Sequence, residues 1–378
     1  MPYTAEITRT NPTCVLFMID QSRSMSDEIS AGDGTAPKSV GVAGTINRWL
    51  QELSIKCAKS DGIRDYYHVG VIGYGKNVGP ALVGPVAGKD LVPISEIASN
   101  PGRIEKRERK VPDEKGKLRK QSVRVPIWFD AVADGGTPMC QASAEAYRVL
   151  EAWLGEHGDS FPPLVIHITD GEATDGDPEQ RVHALTDLST SDGNTTLFNI
   201  HLSAHKDATP VIFPDSPDNL PDEYSRMLFN TASPLTDAMR AIANEQGIPT
   251  TAGSRAFVLN CDMVALVQAI EIGTRPSNAA MDEPVVSPTG GMLSDEEAAA
   301  AAALEMDRYR KGATAAPAAA AATAAPTVGG KTVVRLSIME TGKIVEATIE
   351  LDKKGRIVSL LPALPIDPNM EYRLGPGK

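Results

Sequence analysis

Short, wholly apolar runs alternate along this chain with longer stretches in which apolar residues recur every three or four positions. Val15 to Ile19 is of the first kind, and Leu164 to Ile168 nearly so, interrupted by His167; Tyr66 to Gly75 and Arg255 to Asn260 read as further strands, and Phe198, Ile200 and Leu202 mark another. Such runs, bounded by polar residues, predict strands buried on both faces. The second kind predicts helices with one apolar stripe: Ala43, Ile46, Leu50, Leu53 and Cys57; Met139, Ala142, Ala146, Val149 and Trp153; Val182, Leu185 and Leu188; Leu235, Met239 and Ile242. Strand and helix in alternation predict an α/β fold, a doubly wound, mostly parallel sheet flanked by helices. Val78 to Val86 is expected as an antiparallel edge strand. Pro162-Pro163 is expected to end the helix that begins near Thr137, and Asp262 to cap a last helix ending at Gly273.

The pattern divides the chain into residues 1–275, which hold the α/β domain, a linker at 276–330, and a small β appendage at 331–375. The linker is rich in Ala, Thr and Pro, and Ser294-Asp295-Glu296-Glu297 reads as a capping box opening an Ala-rich helix near 295–310. In the appendage, Val334 to Ile338, Val345 to Leu351 and Ile357 to Leu361 predict a three-strand meander with turns at Thr341-Gly342 and Lys354-Gly355.

Two of the apolar runs end in oxygen-bearing residues. The first is followed by Asp20-Gln21-Ser22-Arg23-Ser24, and Leu164 to Ile168 by Thr169-Asp170-Gly171. Between them, Gly135-Gly136-Thr137-Pro138 places Thr137 where a helix N-cap belongs and Pro138 where the first helical residue belongs. Ligand sites in open α/β sheets lie at the carboxyl ends of strands. Asp20, Ser22, Ser24, Thr137 and Asp170 would therefore gather into a cradle of hard oxygen donors for a cation. Separate caps and turns would explain any one segment, but not why all three carry complementary donors.

Asp-x-Ser-x-Ser, then a Thr in a Gly-Gly-Thr-Pro turn, then Thr-Asp-Gly after a strand resembles the von Willebrand factor A (vWA) domain with an intact metal-ion-dependent adhesion site. The resemblance covers roughly residues 1–275. It implies that Ser22, Ser24 and Thr137 contact the ion directly or through one water, while Asp20 and Asp170 hold coordinated waters. Mg²⁺ is the implied ion, with Mn²⁺ or Ca²⁺ as alternatives, because it demands oxygen ligands in near-octahedral array. Neutral hydroxyl ligands leave such an ion electron-poor, so the resemblance implies a docking port for a partner's Asp or Glu. The bacterial intracellular branch, including proteins associated with tellurite resistance, is the closer match. It implies a scaffold for kinases, PP2C-like phosphatases or AAA+ ATPases in stress or defence systems. The zinc-ribbon tail of some such relatives is absent, since no paired cysteines occur.

Charge adds one feature. The chain of 378 residues carries a formal net charge of −12, yet residues 103–124 alone carry +6. Alternating Val123, Val125, Ile127 and Phe129 predict a strand there, and Pro112 to Lys117 a turn, so a projecting basic hairpin is expected. Arg107, Arg109, Lys110, Lys117 and Arg119 on it are candidate contacts for an acidic partner; the plainer reading is a solvated ribbon. Binding of nucleic acid through the hairpin is a further alternative, disfavoured by the acidic body and by the lack of interleaved aromatics. A metal-assisted phosphoester hydrolase is another, for which no candidate base is identifiable. The six histidines show no metal-ligand spacing, and Cys14, Cys57, Cys140 and Cys261 read as reduced core residues. No signal peptide pattern and no run long enough to cross a bilayer is present, so a cytoplasmic, non-enzymatic protein without membrane contact is expected.

Overall fold

The structure is a computed structural model describing residues 5–31, 34–59, 62–112, 118–202, 210–260, 268–270, 272, 331–338, 344–351, 357–361 and 372–375. It separates into two compact units, residues 1–309 and 310–378. Expectations for the Asp262 cap, the 276–330 linker with its helix, and the turns at Thr341 and Lys354 lie outside the described residues.

In the first unit the strands of the main sheet are β1 (Thr13–Asp20), β2 (Tyr67–Tyr74), β3 (Val78–Pro80), β4 (Val92–Pro93), β5 (Leu164–Thr169), β6 (Thr196–His201), β7 (Val211–Ile212) and β8 (Phe257–Leu259). The helices are α1 (Lys38–Lys56), α2 (Ile94–Ser99), α3 (Met139–Glu156), α4 (Glu179–Asp187), α5 (Glu223–Thr231) and α6 (Asp237–Glu245). One sheet runs β7-β8-β6-β5-β1-β2-β3, with β4 also on β2. The five central strands are parallel, and β3, β4 and β7 pair antiparallel at the flanks. The fold is thus α/β and doubly wound.

Both faces of β1 are buried, which is why its sequence shows no alternation. Val15, Phe17 and Ile19 pack with Val42, Ile46, Leu50 and Leu53 of α1. Cys14, Leu16 and Met18 face the other way, against Met139, Ala142, Ala146 and Val149 of α3. The chain passes from β1 to β2 on one side and reaches β5 on the other, so the strand order reverses between β1 and β5. A cleft opens at the carboxyl ends of strands at such a point, where Asp20 and Asp170 stand.

Several boundaries differ from the sequence pattern. The edge strand ends at Pro80, and the chain then makes a single bridge, Leu82 to Phe129, before a 3-10 turn at Gly84–Val86. Helix α3 stops at Glu156, well before Pro162, in a Gly155-Glu156-His157-Gly158 segment that breaks the stripe without proline. At its other end α3 starts at Met139, and Thr137 makes no side-chain cap. The acceptor is Asp175, whose two carboxylate oxygens take the N–H groups of Cys140 and Gln141 at 3.0 and 2.9 Å. Strand β7 lies in the Pro- and Asp-rich stretch that precedes Tyr224, and helix α5 begins at its end; Asp222 Oδ1 caps α5 by accepting from Ser225 N at 2.6 Å.

Residues Arg103–Pro112 and Leu118–Ile127 pair antiparallel as a two-stranded ribbon. Its root is clamped by Asn47 of α1, whose side-chain oxygen accepts from the backbone N–H groups of Trp128 and Phe129 while its amide donates to Phe129 O and Ala43 O. In the second unit four strands form an antiparallel sheet in the order Ile357–Leu361, Ile344–Leu351, Lys331–Ile338, Tyr372–Gly375. The fourth strand extends the expected meander. Among the described residues no helix is long and apolar enough to cross a membrane.

Candidate metal-binding site

Asp20 is the last residue of β1, and both its oxygens are committed. Oδ1 accepts from the Ser22 backbone N–H at 2.8 Å, and Oδ2 accepts from the Thr169 hydroxyl at 2.8 Å. Those bonds fold the chain back over the strand end and aim Ser22 and Ser24 at one another, with their hydroxyls 3.0 Å apart. Ser24 Oγ donates to Asp170 Oδ1 at 2.7 Å, joining two loops separated by 146 positions. Since the single proton of Ser24 is used there, Ser22 is the donor in the Ser22–Ser24 bond. Met25, fully buried within the 3-10 turn Arg23–Ser26, pins this loop to the core.

Thr137 is brought in by backbone lacing. Arg23 N–H donates to Gly135 O, Asp134 N–H to Gln21 O, and Lys76 N–H to Asp134 O. The strands of chain lie so close that a Cβ on Gly135, whose φ is +95°, would come within 2.4 Å of Lys76 N. On the far side Thr137 N–H donates to Thr174 Oγ1 at 3.0 Å, and Thr174 N–H returns to Thr137 O at 2.9 Å. A Cβ placed on Gly171 would sit 3.6 Å from Thr137 Oγ1 and 3.8 Å from Ser24 Oγ. The two hydroxyls therefore converge over a glycine that leaves the space between them open.

Lys38, the first residue of α1, was not singled out by the sequence pattern. Its ammonium lies 2.9 Å from Asp170 Oδ2, with the lysine side chain 5% and the aspartate side chain 0% exposed. Asp170 is thus held by a hydroxyl on one oxygen and an ammonium on the other. Burial pushes the Asp20 carboxyl up to about 6, opposed by its hydrogen bonds from Ser22 and Thr169 and reinforced by the Asp170 charge. Nearby His201, at the end of β6, is pushed down to about 4 by burial, and its Nδ1 is buried without a hydrogen-bond partner.

Behind the site runs a buried polar chain. Asn199 Nδ2 donates to Leu228 O, which can only accept, so Asn199 Oδ1 faces His167 Nδ1 as acceptor at 2.9 Å. His167 therefore carries its proton on Nδ1, and Tyr74 Oη donates to Nε2 at 2.7 Å. Burial pushes His167 down to about 4.

The donor set suits a hard cation. Mg²⁺ at about 2.0–2.1 Å from its ligands spaces neighbouring oxygens of an octahedron by about 2.9 Å, and the Ser22 and Ser24 hydroxyls already have that spacing. Among the described residues no group of three or more His, Cys, Asp or Glu side chains is placed to hold an ion. The hydroxyl-rich cradle, with two carboxylates behind it, is the candidate.

The basic ribbon is only partly described. Arg107 is exposed and pairs with Glu105 at 2.9 Å, and Arg103 pairs with Glu105 and Asp130. The side chains of Arg109, Lys110 and Arg119, and all of Lys117, lie outside the described residues.

No protein-family model matches the chain, and no curated protein matches it. Similar solved structures include the vWF domain of the type V pili tip protein Mfa5 from Porphyromonas gingivalis, at 12% identity and TM-score 0.22, the match covering 44% of this chain and 40% of that one. Proximal thread matrix protein 1 from the mussel byssus is similar at 12% identity and TM-score 0.33, over 71% of this chain and 48% of that one. An uncharacterized membrane spanning protein from Vibrio fischeri is similar at 10% identity and TM-score 0.19, over 70% of this chain and 100% of that one. The chain spans less than half the length of the first two. At these scores the fold rests on the chain's own topology.

Proposed function

We propose that the chain is a vWA-type protein-interaction module whose site between β1 and β5 holds a divalent cation, Mg²⁺ by donor chemistry with Mn²⁺ or Ca²⁺ as alternatives, and docks a partner's carboxylate. The observation that carries the reading is the convergence of Ser22, Ser24, Thr137 and Asp170 from three separate loops at the strand switch point. Hydroxyl oxygens bind the ion without neutralising it. When bound, the ion supplies a positive centre that accepts an external carboxylate. The chain's own work is positioning: Asp20 fixes the Ser22 turn, Thr174 fixes Thr137, and Asp170 orients Ser24.

Asp20 already accepts from the Ser22 backbone N–H and the Thr169 hydroxyl, which gives it a positioning role at the strand end. The partner classes implied by the sequence resemblance, kinases, PP2C-like phosphatases and AAA+ ATPases, would each present the acidic side chain. The pairing of Arg103 and Arg107 with carboxylates disfavours a phosphate-binding role for the root of the ribbon.

Calorimetric titration with Mg²⁺ and Mn²⁺, wild type against Thr137→Ala, tests the reading. Binding by wild type that weakens at least about tenfold in the variant, with metal-dependent retention of a partner, supports it. Equal binding by both would remove Thr137 from the site, and no binding by either would end the proposal.

A further inference from the structure

The Lys38–Asp170 pair is unusual in its place. A lysine whose side chain is 5% exposed has its ammonium on the same carboxylate that receives the Ser24 hydroxyl. Its delivery is built into the fold. After the Arg23–Ser26 turn the chain runs through a two-stranded antiparallel ribbon, Glu28–Ala31 with Gly34–Pro37, and returns so that Lys38 N–H donates to Asp27 O at 2.9 Å. The first residue of α1 is thereby tied to the end of the Ser22–Ser24 loop, and its ammonium reaches Asp170 Oδ2.

We propose that Lys38 is a tethered cation of this site, holding Asp170 when no divalent ion is bound and setting the charge of the site when one is. The inference rests on the metal-binding reading above. Asp20 and Asp170 together carry −2, and Lys38 brings the side-chain total to −1. A divalent ion raises it to +1, so the loaded site calls for one further anion. With a neutral residue at position 38 the same loaded site would total zero. Lys38 therefore has two opposite effects. It repels the divalent ion, weakening metal binding taken alone, and it strengthens the hold of the loaded site on a carboxylate. Metal and acidic partner then bind with positive coupling, each weaker without the other, and by linkage the coupling is reciprocal.

Mn²⁺ titration calorimetry on the full chain tests this, comparing wild type with Lys38→Met in chloride and again with acetate present as the carboxylate probe. The variant is expected to bind Mn²⁺ about tenfold or more tightly in chloride. Acetate is expected to tighten Mn²⁺ binding in wild type and to do so less in the variant. In chelator the variant should unfold at lower temperature, since Asp170 loses its charged partner, and Mn²⁺ should restore more of that loss than it adds to wild type. Lys38→Gln keeps a donor to Asp170 without the charge and should reproduce the affinity gain if the Met variant fails to fold. Equal Mn²⁺ affinity and equal acetate response in wild type and variants would overturn the role of Lys38 and leave the metal site standing. No Mn²⁺ binding by any of them would overturn the metal reading itself, and this inference with it.

Discussion

Thr137 and Thr174 exchange two hydrogen bonds, Thr137 N–H to Thr174 Oγ1 at 3.0 Å and Thr174 N–H to Thr137 O at 2.9 Å. This closed pair joins the Gly-Gly-Thr loop to the loop after β5, so the position of the Thr137 hydroxyl depends on a residue that offers no oxygen to the cradle. A group that orients a metal ligand typically costs 10–100-fold in affinity when removed.

Thr174→Val is accordingly expected to weaken Mn²⁺ binding about tenfold or more and to lower stability by about 1–2 kcal/mol through the unsatisfied Thr137 N–H. Thr174→Ser, which keeps the oxygen, should retain most of both. Calorimetry and urea unfolding of the two variants check this. Equal affinity in the Val and Ser variants would show that the pair does not position Thr137.

Asn47 supports a second prediction. It is buried on α1 and closes four hydrogen bonds, three of them to the segment that follows the basic ribbon. Asn47→Ala would strand two backbone donors and one carbonyl beside the buried Trp128 and Phe129. At about 1–3 kcal/mol for each buried unsatisfied group, a loss of about 3 kcal/mol or more is expected in urea unfolding. Asn47→Asp keeps the acceptor but not the donors and buries a charge, so it should not rescue. Stability near wild type for either variant would mean that the ribbon root is held by its apolar packing alone.

How the site came to be legible follows from these cases. Asp20, Ser22, Ser24 and Asp170 stand directly after runs with an unmistakable strand pattern, and strand ends at a switch point are where ligands bind. The sheet and α1 were legible for a related reason: burial on both faces leaves whole apolar runs, and burial on one face leaves a stripe. Thr174, Asp175, Asn47 and Lys38 left no such mark. Each is a lone polar residue whose role depends on a partner far away in the chain, Lys38 lying 132 positions from Asp170, and periodicity carries no information about that. The N-cap assigned to Thr137 failed because Asp175, a carboxylate 35 positions from Cys140, took the helix N–H groups instead. Helix α5 had a local signal, Asp222 three residues before Ser225, masked by the Pro- and Asp-rich stretch around it.

Gly135 is expected to tolerate no side chain. Its φ of +95° disfavours any residue with a Cβ, and the added atom would meet Lys76 N at 2.4 Å, a backbone atom that cannot turn aside. Gly135→Ala should cost about 1–3 kcal/mol in strain alone and, by pushing apart the loops that carry Ser22 and Thr137, should weaken Mn²⁺ binding. Gly155→Ala, where an added Cβ meets nothing within 4 Å, serves as the control in the same thermal and calorimetric measurements. Similar behaviour of the two variants would refute the steric account.

His167 governs a pH effect whose sign can be worked out. Its folded-state value, pushed down to about 4 by burial, lies below the ordinary 6.5 of an exposed imidazole. Between those values the unfolded chain binds a proton that the folded chain does not, so stability is fully present above about 6.5 and is lost as pH falls toward 4. A gap of about 2.5 units corresponds to about 3 kcal/mol. His201, also pushed down to about 4, acts in the same direction. Asp20 acts against them, because a carboxyl raised to about 6 makes the folded chain the better proton binder between about 4 and 6. Two imidazoles outweigh one carboxyl, so the metal-free protein should lose stability on acidification from pH 7 to pH 5. His167→Gln should cost some stability at pH 7, through the bonds to Tyr74 and Asn199, but should remove close to one proton from the uptake on unfolding in that window. Urea midpoints across the pH range in chelator give the slope for each protein. An unchanged slope in the variant would mean that His167 titrates normally and that the Tyr74–His167–Asn199 chain is open to water.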